Sequence, residues 1–132
     1  MQNIIFSKQI YEKNVIKGCI HILKRMQSKV SEDQMYRINT YNPITPEIPA
    51  LLLKLGFDLE IFLSDNGEIS NSLFIRCKKE NREGKIKKIS CSGPPYGEKQ
   101  KKMSVEYEKK VKDYLQSAEC NEVLEKIKRS LG

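Results

Sequence analysis

Apolar residues recur along residues 8–30 at steps of three and four: Ile10, Val15, Ile16, Cys19, Ile20, Leu23 and Met26. That spacing places them on one face of an amphipathic helix. Gly18 falls inside the run, where glycine costs about 1 kcal/mol relative to alanine, so a break or a close approach is expected near it. Ser31-Glu32-Asp33 then reads as a turn or the cap of a short helical piece.

The pattern changes over residues 35–41, Met-Tyr-Arg-Ile-Asn-Thr-Tyr, which are extended and aromatic in character and predict a short strand or extended loop. Asn42-Pro43 stops it, because the residue before proline is pushed away from helical angles. Thr45-Pro46-Glu47-Ile48-Pro49 has the form of a helix entry, with Thr45 as cap and Pro46 at the first helical position. The run Ala50-Leu51-Leu52-Leu53-Lys54-Leu55 is almost wholly apolar, which predicts a short buried helix, and Gly56 closes it as a C-terminal cap.

Three strands are predicted next. The first covers residues 58–63 with Leu59, Phe62 and Leu63, and Asp65-Asn66-Gly67 supplies turn chemistry suited to positive φ. The second covers residues 72–79 with Leu73, Phe74 and Ile75. The third covers residues 85–91, where Ile86 and Ile89 flank Lys87-Lys88 after a turn at Gly84. The expected sheet is a small three-stranded antiparallel meander whose lysine-bearing third strand suits a solvent-facing edge. Residues 92–97, Ser-Gly-Pro-Pro-Tyr-Gly, form a loop by composition. Tyr107, Val111, Tyr114, Leu115 and Ala118, then Val123, Leu124, Ile127 and Leu131, describe one long helix or two joined near residues 117–121. The fold class is α+β: N-terminal helices, the meander and a C-terminal helix packed on the sheet, in one domain spanning residues 1–132 with residues 99–132 as a helical tail.

Composition adds limits. At 132 residues the chain is long enough to bury one core without a disulfide or metal staple, and 39% hydrophobic with 31% charged residues is a globular balance. The start of the chain lacks the basic and apolar regions of a signal peptide, and no apolar run approaches the roughly 18 residues of a membrane-spanning helix. A soluble cytoplasmic protein is therefore expected, with the nucleus also open to it. Cys19, Cys77, Cys91 and Cys120 include no CxxC pair, and His21 is the single histidine, so the residues read as reduced thiols and not as zinc ligands.

Candidate catalytic groups are sparse. His21 sits mid-helix with no nucleophile placed beside it by the sequence. Asp58 and Glu60 share a strand face, which is the geometry of an acid–base pair but also of a solvated strand edge. Asp65-Asn66-Gly67-Glu68 lacks the rest of a calcium loop's ligand spacing. The prolines of residues 93–97 remove the N–H donors that a phosphate cradle needs. No motif implies a cofactor or a metal, and a non-enzymatic role is expected.

Charge is more informative. Net charge is +7, and residues 76–112 hold 13 Lys or Arg against five Asp or Glu. Arg76, Lys78, Lys79, Lys85, Lys87 and Lys88, with Arg82, flank one expected hairpin and make an anionic-partner patch suited to phosphates or an acidic peptide, although few aromatics interleave for base stacking.

The segment Tyr36-Arg37-Ile38-Asn39-Thr40-Tyr41-Asn42-Pro43, followed by an apolar helix ending Leu55-Gly56-Phe57-Asp58, resembles a PUB (PUG) domain, the module found in peptide:N-glycanase, some ubiquitin-ligase subunits and certain UBX adaptors. The agreement runs over residues 10–75. The chain departs from the pattern in a missing residue between Tyr36-Arg37 and Asn42, a shortened stretch from Asn42 to Gly56 without the family's aromatic and basic residue after the Asn, and an extra strand and helical tail. The resemblance implies an adaptor that docks the C-terminal tail of the valosin-containing AAA ATPase, a hydrophobic–aromatic pair beside acidic residues. It implies partner-binding roles for Tyr36, Arg37, Asn39 and Asn42, with Asn42 holding the peptide backbone, and Lys54 adds charge that complements an acidic tail. The alternative is a basic RNA- or ribosome-associated protein. No membrane partner is expected.

Overall fold

A helix that is apolar all round has to be surrounded, and the short leucine-rich helix is. In the computed structural model, which describes residues 2–28, 34–40, 44–64, 66–69, 72–76, 83–91 and 97–131, the elements run α1 (Gln2–Gln27), β1 (Met35–Asn39), α2 (Glu47–Lys54), β2 (Asp58–Leu63), β3 (Ser72–Arg76), β4 (Ile86–Cys91), α3 (Gly97–Leu115) and α4 (Ala118–Leu131). Ile48 to Leu53 of α2 are all buried, and α2 touches α1, α3, α4 and β2. It is the centre of the core.

Local chemistry sets the ends of α2. The Gly56 N–H reaches the Leu53 carbonyl and the Phe57 N–H reaches that of Leu52, at 3.0 and 3.1 Å, a Schellman closure that needs the positive φ of 98° at Gly56. At the other end the expected Thr45 cap is not formed. Pro46 is the N-cap residue, without a side-chain hydrogen bond, and Thr45 instead accepts the Ile48 N–H on its carbonyl at 3.0 Å.

Helix α1 runs unbroken through Gly18. A Cβ at that position would stand 2.8 Å from the Ile48 Cδ1, so the glycine permits close approach of α1 to α2. The buried stripe of α1 is Val15, Cys19, Ile22, Leu23 and Met26, whereas Ile10, expected on that face, is 46% exposed. The C-terminal stretch is two helices. Ser117 breaks them, its Oγ donating to the Tyr114 carbonyl at 2.6 Å and accepting the Cys120 N–H at 3.2 Å, which caps α4. Tyr107, Val111, Cys120, Val123 and Ile127 join the same core as the strands.

The α+β class, with helices at both ends, is what the sequence pattern predicts. Among the described residues the sheet differs from it in having four strands rather than three, in the order β1-β3-β2-β4. β3 pairs antiparallel with both β1 and β2, whereas β4 pairs parallel with β2. β1, α2 and β2 thus form a parallel crossover unit with β3 inserted between its strands. β4 is not the third strand of a meander. The physical reason lies in residues 83–85. The Gly84 N–H is bonded to the Leu53 carbonyl at 2.8 Å, the Leu59 N–H to the Lys85 carbonyl at 2.9 Å, and the Lys85 N–H to the Asp58 carboxylate at 2.9 Å. These bonds carry the chain past β3 to the α2–β2 junction, so β4 starts where β2 starts and runs the same way. β4 is an edge, as its lysines suggest.

One face of the sheet is buried under the helices. Ile38, Leu59, Ile61, Leu63, Leu73 and Ile75 point into the core, and Tyr36, Ile86 and Ile89 pack against it. Ile86 and Ile89 are three residues apart, an odd spacing for a strand. A register shift between Leu59 and Glu60 absorbs the extra residue, pairing Leu59 with Ile86 and Ile61 with Ile89, and so returns both isoleucines to the core side. Among the described residues no helix is long and apolar enough to cross a membrane.

Candidate functional site

Successive strand residues face opposite ways, and this divides the partner-binding residues named from the sequence. Tyr36 lies on the core side of β1. Arg37 and Asn39 lie on the other face, both exposed. The Arg37 guanidinium donates to Ser72 Oγ from Nε and Nη2 at 3.3 and 3.2 Å, and that hydroxyl donates to Asn39 Oδ1 at 2.8 Å. Lys54 is at the far end of α2, with its ammonium 4.0 Å from Glu83. Asn42 lies outside the described residues, together with Tyr41 and Pro43, the turn at residues 31–33, Asp65, Cys77 and residues 92–96. Tyr36 and Lys54 are therefore not brought together with the Arg37–Asn39 pair.

The anionic-partner patch is similarly rearranged. Arg76 ends β3, and Lys85, Lys87 and Lys88 lie before and along β4, with β2 between the two strands, so these residues do not flank one hairpin. Lys78, Lys79 and Arg82 lie outside the described residues. Lys85, Lys87 and Lys88 are exposed.

The two carboxylates of β2 have separate environments. Asp58 is 4% exposed and accepts the Lys85 N–H. Glu60 stands between Phe74 and Lys88 in the register. Their strand is interior, so neither is on a solvated edge. His21 is half-buried, with Nε2 donating to the Asn39 carbonyl at 3.2 Å, which ties α1 to β1. Cys19 and Cys120 are buried and Cys91 half-buried, all three as free thiols. Burial pushes the Cys19 and Cys120 thiols up.

Two surfaces that the sequence reading did not single out are more coherent. The first is a hollow of about 90 Å³ at the head of α2, just beyond the Tyr36–Pro43 segment, lined by Ile44, Thr45, Pro46, Gly67, Glu68, Ile69, Tyr107 and Lys110. Ile44 and Ile69 of its lining are joined by an isolated β-bridge, and Asn66 braces the neighbouring turn by accepting the Glu68 N–H and the Ser64 hydroxyl at 3.0 and 2.6 Å. Tyr107 is 2% exposed, and its buried hydroxyl has no hydrogen-bond partner among the described residues. Burial first, then the charges of Glu47 and Glu68, push that hydroxyl's pKa well above the ordinary phenol value. A hollow of this size admits one apolar side chain, with polar groups at its rim. Because its lining comes from three separate stretches, no local motif announces it.

The second is the sheet face turned away from the helices. In register, Arg37, Phe74, Glu60 and Lys88 form one row across all four strands, and Phe62 lies opposite Ser90 in the next. Phe62 is 48% exposed on an interior strand. A strict count by twos does find it: with Leu59, Ile61 and Leu63 inward, Phe62 has to point outward.

Compared with known proteins, the chain matches no family model, no curated protein and no solved structure.

Proposed function

We propose that this domain is a non-catalytic adaptor that docks an extended protein tail in the hollow at the head of α2. The observation that carries the reading is the hollow's position, directly after the Tyr36–Pro43 segment on which the resemblance to PUB domains rests. The order α1, β1, α2, Leu55-Gly56-Phe57, β2, β3 is also the order that resemblance implies. Apolar walls from Ile44, Pro46 and Ile69 suit one anchoring side chain, and Lys110 on the rim suits an acidic neighbour in the tail. The proposed ligand is accordingly the C-terminal tail of the valosin-containing AAA ATPase, met in the cytoplasm or nucleus.

Binding of the tail peptide to Lys110→Glu and Asn42→Ala variants tests the reading. Lys110→Glu is expected to weaken affinity at least about fivefold, within the range of about 1–3 kcal/mol for hydrogen bonds and contacts involving charged groups. Asn42→Ala is expected to abolish binding while thermal unfolding stays in place. Unchanged affinity in both variants rejects the hollow as the docking site.

A further inference from the structure

A four-stranded sheet with helices on one face leaves the other face to be explained. Here it is neither uniformly polar nor apolar. Two phenylalanines, Phe62 of β2 and Phe74 of β3, sit on the interior strands. Cations stand on both sides of them, Arg37 on the β1 edge and Lys88 on the β4 edge, with Arg76 at the end of β3 and Glu60 as the acidic member of the central row. Asn39, Ser72 and Ser90 supply short hydrogen-bonding groups on the same face.

We infer that this face binds single-stranded RNA, with bases stacked on Phe62 and Phe74 and the backbone held by Arg37 and Lys88. Phe62 is 48% exposed and Phe74 half-buried, and exposed aromatic rings on a sheet offer their faces to unstacked bases, which a duplex keeps inside its own stack. Diagonal neighbours on paired strands stand about 7–8 Å apart, so each ring takes its own base and neither blocks the other. The edge-to-edge span from Arg37 to Lys88 is three strand spacings, about 14 Å, which a few nucleotides cross. Arg76 stands opposite the buried Asp58 in the register, and Arg37 and Lys88 flank Glu60 in the central row; within a chain of net charge +7 the two edge cations match a phosphate backbone. An acidic peptide would satisfy the cations but make no use of the two ring faces. The hydroxyl and amide groups beside the rings are of the kind that meets a ribose 2′-OH, which favours RNA over DNA. This surface is opposite the core face and independent of the hollow at the head of α2.

The test is fluorescence anisotropy with labelled oligouridine, an oligothymidine of equal length and an RNA duplex, on the full chain. Oligouridine is expected to bind tightest, with the duplex at least about tenfold weaker. Phe62→Leu keeps an apolar side chain on an exposed site but removes the ring; it is expected to weaken oligouridine about tenfold while leaving the salt dependence alone. Phe62→Tyr restores binding. Lys88→Glu and Arg37→Gln each reduce the slope of log affinity against log salt by about 0.7. Lys110→Glu changes oligouridine affinity less than twofold, which separates this site from the peptide hollow. Equal binding of duplex and single strand, tighter binding of oligothymidine, or Phe62→Leu at wild-type affinity overturns the inference. So does displacement of oligouridine by polyglutamate that is indifferent to Phe62.

Discussion

The carboxylate of Asp58 accepts the backbone N–H of Lys85 at 2.9 Å, joining the first residue of β2 to the residue just before β4. It is a buried acceptor at the entry of the strand, and it helps make β4 run parallel to β2. Replacing it with alanine leaves the Lys85 N–H without that acceptor at a part-buried site, which costs about 2–3 kcal/mol. For a chain of this size that is a fall of roughly 10 °C in melting temperature. Asp58→Asn keeps an acceptor oxygen and is expected to lose less than half as much. Thermal melts of the two variants, with hydrogen exchange at Leu59 and Lys85, check this.

Two glycines give opposite expectations. A Cβ on Gly84 would lie 1.8 Å from the Phe57 carbonyl oxygen and 2.5 Å from its carbon, both fixed by the closure of α2. Gly84→Ala is expected to destabilise by about 3 kcal/mol or more, since backbone has to move. A Cβ on Gly18 would meet only the tip of Ile48, which can turn aside. Alanine also gains about 1 kcal/mol of helix propensity there, so Gly18→Ala is expected to fall within about 1 kcal/mol of wild type. Urea denaturation of both variants decides.

Alkaline pH offers a third check. Burial raises the Cys19 and Cys120 thiols and the Tyr107 and Tyr114 hydroxyls, and Tyr11, half exposed, is pushed up to about 12 by partial desolvation and its hydrogen bond to Glu47. A group whose folded pKa lies above its unfolded value contributes stability that is complete below the unfolded value and lost as pH rises through the folded one. Unfolded thiols titrate near about 8.5 and phenols near about 10, so the contribution holds to about pH 8 and is lost progressively above it. In the same range Cys19 and Cys120 are expected to resist iodoacetamide until urea unfolds the chain. Alkylation of both in the native protein at pH 8.5 contradicts the packing described.

How the fold reads from the sequence depends on whether the signal is local. Gly56 after a leucine run and Ser117 within a long apolar periodicity act through bonds only a few residues away, so the end of α2 and the position of the α3–α4 junction could be anticipated. Where β4 pairs could not. That choice rests on bonds from residues 84 and 85 to Leu53 and Asp58, distant in sequence, and the three-residue spacing of Ile86 and Ile89 fits a strand only through the bulge against β2. The candidate surfaces divide in the same way. Phe62 is apolar like Leu59 and Leu63 of the same strand, and only alternation tells that it faces away from them. The hollow draws on Ile44, Ile69 and Tyr107, which only tertiary packing brings together.

Loss of the Ser117 cap tests that junction directly. Ser117→Ala removes both the acceptor for Cys120 N–H and the bond to Tyr114, and is expected to cost about 1 kcal/mol, with Ser117→Asp retaining most of it. Equal stability of all three proteins by urea denaturation would remove the cap from the account.

The adaptor reading stands most directly on where a tail peptide goes. Titrating isotope-labelled protein with the ATPase's C-terminal peptide is expected to shift the backbone signals of Ile44, Ile69, Tyr107 and Lys110 first and most. Shifts confined to other surfaces, or none at saturating peptide, contradict it.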